Sequence, residues 1–206
     1  PHYSSRRQRQ MCIRDRILIC LGSIFQVLFT YVLMQVFSHK SFAAGIAFSK
    51  TEVILIAFLE VAILNVIFSL PLILGILLGV ISVLFLSFAK KAETVLETFK
   101  QLFNSMMKIG TLIGILSGLL LAASVVFFRM AIISVDAPLL DKSIYISFIA
   151  IVLQTILVGS YMFFFKKEQF FAVFKYWKPS LPAGICGTGA TFGWFLAFGL
   201  ATAAEV

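Results

Sequence analysis

A chain of 206 residues that is 61% hydrophobic and only 13% charged lies far from soluble domains, which run at about 45–50% and about 25%. Its twenty-three phenylalanines would overfill a water-soluble core, whereas lipid is a solvent in which Phe, Leu and Ile face outward at no cost. The formal charge of +8 does not mark a nucleic-acid binder, because five of the basic residues (Arg6, Arg7, Arg9, Arg14, Arg16) crowd the first sixteen positions.

Those first positions stand apart from the rest. Read back into plausible codons, RRQRQMCIRDR (6–16) resembles the transposon adapter used in sequencing-library preparation, so residues 1–16 are set aside from fold and function. The other reading of a basic flank before an apolar run is a signal-peptide n-region. Without this stretch the charge is twelve basic minus eight acidic residues, or +4. Only Cys20 and Cys186 then remain, both in apolar runs and without C-x-x-C spacing, which argues against a disulfide framework or a metal site.

A membrane-spanning helix needs about 20 mostly apolar residues. The sequence predicts six, at 17–37, 42–64, 70–88, 109–130, 144–165 and 181–204. The fold class is therefore all-α, a polytopic transmembrane bundle. Pro71, Pro138, Pro179 and Pro182 fall at or between the expected helix ends, where a missing N–H costs little. Lysines accumulate in cytoplasmic loops, so the loop with Lys90, Lys91, Lys100 and Lys108 and the loop with Lys166, Lys167, Lys175 and Lys178 are both expected inside, as are His39 and Lys40. The loop between them, with Arg129, Asp136, Asp141 and Lys142 at or near its borders, is expected outside, its charges capping helix ends or pairing there. Glycines recur at helical spacing, as Gly75 and Gly79, as Gly110, Gly114 and Gly118, and as Gly189 and Gly193 running into Ala197 and Ala201. Such stripes let helices approach closely in lipid.

Two stretches carry a family likeness. SFAAGIAFSKTE (41–52), followed by an apolar span and then by LGILLGVISVLFLSF, resembles the end of the first five-helix half in EamA-like members of the drug/metabolite transporter superfamily. WKPSLPAGICGTGATFGWFLAFGLATAAEV (177–206) resembles the third helix of the second half. The resemblance implies a ten-helix protein of two inverted repeats with a transport site near the membrane centre. The six spans would be its helices three to eight: 17–88 closing the first repeat, 89–108 a cytoplasmic linker, and 109–206 opening a truncated second repeat, with Glu205 starting the turn into a ninth helix. The chain departs from the family where many relatives end the fourth helix with Gly-Glu: it reads Leu64, Asn65, Val66, with Glu60 inside the span. Many relatives are also drawn with the loop after helix five outside, and the lysines here say the reverse.

An ionisable side chain within a membrane is costly and usually faces the bundle interior or an aqueous cavity. Lys50, Thr51 and Glu52 stand about ten residues into the expected second span. There Lys50 can attract an anionic or zwitterionic substrate and Glu52 can take up a proton; the competing reading has both snorkelling at the cytoplasmic edge. Glu60, eight residues on and about 80° around the helix, either borders the same cavity wall or is an outer-edge carboxylate. Gln26, Gln35 and Gln154 bind substrate or bond a neighbouring helix. Tyr31 and Trp194 line a cavity or pack. No zinc-ligand spacing, P-loop, nucleophile elbow or dinucleotide fingerprint occurs, so neither an enzyme nor a cofactor is expected.

The leading expectation is a secondary transporter of a small metabolite or drug-like compound in a bacterial inner membrane, coupled to a proton or substrate gradient. The alternative is a non-transporting scaffold or channel subunit. Expected partners are the lipid bilayer, a small-molecule substrate and protons, with no nucleic acid; a homodimer is compatible with such a bundle.

Overall fold

The computed structural model describes residues 2–37, 49–89 and 109–206. Every element among the described residues is a helix: α1 (His2–Phe37), α2 (Glu52–Leu64), α3 (Leu70–Ala89), α4 (Ile109–Ser134), α5 (Leu139–Phe165), α6 (Lys167–Lys175) and α7 (Trp177–Leu200). Four stretches are long and apolar enough to cross a membrane: Arg14–Phe37 of α1, and α4, α5 and α7 entire. The other two expected spans are described only in part, and the apolar helical stretch described for each is shorter. The 13 residues of α2 rise about 20 Å against a hydrocarbon core of about 30 Å. In α3 the apolar stretch is Leu70–Val83. The start of the expected second span, His39, Lys40 and the loop carrying Lys90, Lys91, Lys100 and Lys108 lie outside the described residues.

The apolar character of α5 runs all round the helix, yet only 6% of its most apolar window is buried within the protein, against 44% for α4. An apolar helix that neighbours do not cover needs an apolar solvent. The four long apolar helices thus make this a membrane-type chain, with α4 the most enclosed of them.

The chain divides into two units, one formed by residues 1–27, 127–204 and 206, the other by residues 28–126 and 205. In the first unit the core forms around Phe128. Its ring lies against Gly22, where an added Cβ would come within 2.7 Å of it, and meets Phe195 edge-on at 5.0 Å. Ile19, Ala131, Ile132, Ile146, Ala150 and Phe198 are among the other buried residues. Leu139 packs over Gly199. Phe25 stacks on Phe127 at 5.6 Å. Residues 2–16 continue α1 as helix, and Asp15 is buried, its Oδ1 accepting from the Ser134 hydroxyl at 2.6 Å.

Several boundaries differ from the sequence reading. α4 runs to Ser134 and α5 starts at Leu139, so Arg129, Asp141 and Lys142 lie on helices and the connection shrinks to 135–138. Arg129 donates from Nη1 to the carbonyl of Ala201, the C-cap of α7, placing a cation on orphan carbonyls at a helix end. Asp141 falls in the first turn of α5, where a carboxylate is favoured. α7 begins at Trp177, so Pro182 is inside the helix and not at its end; it removes the N–H that would bond back one turn. The loop after α5 contains α6, a further helix absent from the sequence reading.

In the second unit α2 packs on α3. Asn65 ends α2 in the left-handed conformation, φ 52°, one of the few non-glycine residues that accept it readily. Its N–H bonds the Glu60 carbonyl. The glycine stripes are used unevenly. A Cβ at Gly118 would lie 2.9 Å from the Ser49 carbonyl oxygen, whereas at Gly75, Gly79, Gly189 or Gly193 it would meet nothing within 4 Å among the described residues. Among the described residues, the Gly75/Gly79 and Gly189/Gly193 stripes therefore do not mark close approach.

Candidate functional site

The polar residues of the SKTE stretch gather at the start of α2, in the second unit. Ser49 is buried, Thr51 is the N-cap without a side-chain cap bond, and Glu52 opens the helix. The Thr51 carbonyl takes the N–H of Ile54 at 3.1 Å, starting the hydrogen-bond ladder. A carboxylate in this first turn is favoured by the helix dipole.

This turn rests on α4. Gly118 there brings the backbone of α4 against the Ser49 carbonyl and against N and Cβ of Glu52; any larger residue would hold the two elements apart. Around Gly118 the buried face of α4 is small and hydroxylated, with Thr111, Gly114, Ser117 and Ser124. Ser117 donates to the Gly114 carbonyl at 2.7 Å, satisfying itself within its own helix. Thr111 Oγ1 is buried and has no hydrogen-bond partner among the described residues. The sequence reading noticed the glycines of this face and not the interleaved hydroxyls. Their signal was present as polar residues recurring on one helical face of an apolar run.

The three charges of α2 and its cap differ sharply in environment. The Lys50 side chain is 58% exposed and that of Glu52 15%, with Nζ 3.9 Å from Oε1. Such a distant, half-exposed pair contributes about 0–1 kcal/mol, so it does not account for the burial of Glu52. Glu60 is fully buried. Glu52, Ile56 and Glu60 form an i, i+4, i+8 row, and Ile56 is also buried. The two carboxylates therefore share the inward face of α2 at about 12 Å spacing along the axis.

The remaining predicted residues are placed elsewhere. Tyr31, in the same unit, is 55% exposed. Gln26, Gln154 and Trp194 belong to the other unit. The two glutamines are half-buried, and Trp194 is half-exposed, its ring 5.7 Å from that of Phe198. The structure thus places Lys50 and Thr51 at the start of α2 and Glu52 and Glu60 on it. Among the described residues no cluster of three or more His, Cys, Asp or Glu could hold a metal.

No family model, no curated protein and no solved structure matches the chain.

Proposed function

We propose that this chain is part of a secondary transporter that carries a small metabolite or drug-like compound across a bacterial inner membrane by alternating access, coupled to a proton or substrate gradient. In this reading the chain spans the membrane six times, 42–64 and 70–88 joining the four long helices, and supplies helices three to eight of a ten-helix, two-repeat protein resembling the EamA-like drug/metabolite transporters. The observation that carries the reading is Glu60, a fully buried carboxylate on a helix whose other residues, apart from Glu52, are all apolar. Buried ionisable groups in membrane helices usually serve a substrate or proton path. Glu52 on the same face, Lys50 beside it and the hydroxyl-lined face of α4 provide polar groups for a ligand to meet.

The roles follow from the chemistry. Glu52 exchanges a proton, Glu60 borders the same cavity wall, and Lys50 attracts the anionic group of the substrate. The test is uptake in proteoliposomes holding the full-length protein, with a panel of amino acids and small organic acids and pyranine reporting internal pH. Glu52→Gln keeps shape and hydrogen bonding but cannot exchange a proton, so proton-coupled uptake should flatten with pH while membrane abundance stays normal. Lys50→Met should weaken substrate affinity roughly ten-fold, as for one lost charge-assisted contact. Normal, pH-responsive uptake in both variants removes these residues from the mechanism. Lost abundance in both makes the pair structural and favours the scaffold reading.

A further inference from the structure

The connection between α5 and α7 is strongly cationic and aromatic. Residues 163–178 read FFFKKEQFFAVFKYWK, with four lysines against a single acid, Glu168, a net of +3. One residue, Lys166, breaks the chain out of α5, and one, Tyr176, separates α6 from α7. α6 is therefore fixed at the ends of two helices long and apolar enough to span a membrane, where hydrocarbon gives way to headgroups.

The helix is amphipathic. At 100° per residue, Val173, Phe170, Phe174 and Phe171 fall within one arc of about 160°, which only Lys167 of the first turn enters, and Glu168 and Lys175 lie outside it. Phe170 is tied to the end of α5 by an edge-on contact with Phe163 at 5.6 Å, which anchors the apolar face. Phe171, Val173 and Phe174 are left 62%, 55% and 64% exposed. Around them stand Phe164, Phe165, Tyr176 and Trp177, also exposed, as in the aromatic belt of a membrane border. Lys175 lies over the Tyr176 ring at 5.5 Å and Lys178 over the Trp177 ring at 6.0 Å, so the ammonium groups stand beside the aromatic surface.

We propose that α6 is an interfacial helix that lies in the headgroup layer and is held there by anionic phospholipid. The apolar arc of Phe171, Val173 and Phe174 enters the acyl boundary, and Lys166, Lys167, Lys175 and Lys178 contact lipid phosphates. A basic amphipathic helix with Phe on its apolar face has this chemistry. The lysine excess matches the negative surface of a cytoplasmic leaflet, the side to which positive residues orient. This inference rests on the membrane placement of α5 and α7 and does not depend on transport.

The test uses the whole chain in nanodiscs, with Phe174→Trp as a fluorescent reporter in a Trp177→Phe, Trp194→Phe background. In neutral phosphatidylcholine mixed with phosphatidylglycerol, reporter emission should be blue-shifted and quenched by lipid brominated near the headgroup end of the chains. Each lysine should shift the docked population by roughly five-fold. Quenching should therefore fall in pure phosphatidylcholine, at high salt, and when all four lysines are changed to Gln, with helix content by circular dichroism unchanged. Emission as in water, or quenching indifferent to phosphatidylglycerol and to the lysines, would overturn the proposal. Trp194, kept alone in a Trp177→Phe variant, reports on α7: if deep brominated lipid quenches it while the Phe174→Trp reporter is unquenched, only the interfacial helix fails. If neither is quenched, the membrane placement itself fails.

Discussion

Replacing Gly118 by alanine puts a methyl group against a backbone carbonyl, which cannot rotate away as a side-chain end can. The added Cβ would lie 2.9 Å from the Ser49 oxygen, so reaching ordinary contact at 3.4 Å requires the α2 turn and α4 to part by about half an ångström. Overpacking of this kind costs about 1–3 kcal/mol. Alanine gains about 1 kcal/mol over glycine in helix propensity, so the net effect is a loss of about 0–2 kcal/mol. Gly79→Ala is the matched control, because its Cβ meets nothing within 4 Å among the described residues and it keeps only the propensity gain. The difference between the two variants cancels propensity and isolates the overpacking, about 1–3 kcal/mol. Unfolding in mixed detergent and SDS, followed by far-ultraviolet circular dichroism, measures that difference. If both variants are equally stabilised, α2 does not rest on Gly118 and the candidate site loses its second wall.

Two further outcomes are expected. Arg129→Ala should cost about 1.5–3 kcal/mol, the range for a hydrogen bond to a charged group, because it strips the α7 cap at Ala201; a change below 0.5 kcal/mol, roughly what a surface substitution gives, would deny the contact. In a cysteine-free background, single cysteines at Lys100 and Trp177 should react with an impermeant maleimide only from the cytoplasmic side, and one at Asp136 only from outside. Reversed labelling would refute the lysine-based orientation.

The apolar runs at 17–37, 109–130, 144–165 and 181–204 were legible because a helix in lipid satisfies its own backbone and needs no partner to declare itself. Their ends were less legible. Polar residues such as Lys142 and Lys178 break a hydropathy run without breaking a helix, so α5 and α7 start earlier than their apolar stretches. α6 escaped notice for a related reason: a nine-residue amphipathic helix flanked by lysines has the composition of a loop. The candidate residues Lys50, Thr51 and Glu52 could be named from sequence, since charge in an apolar run is conspicuous. Spacing alone determines which residues share a face, as Glu52 and Glu60 do. It does not determine which face turns toward a neighbour, and that depends on contacts between residues far apart in the chain. Only the tertiary structure therefore decided that Glu60 is buried while Lys50 is exposed, that Gly118 and Gly22 are used for close approach while Gly75 and Gly79 are not, and that Arg129 caps a helix end 72 residues away.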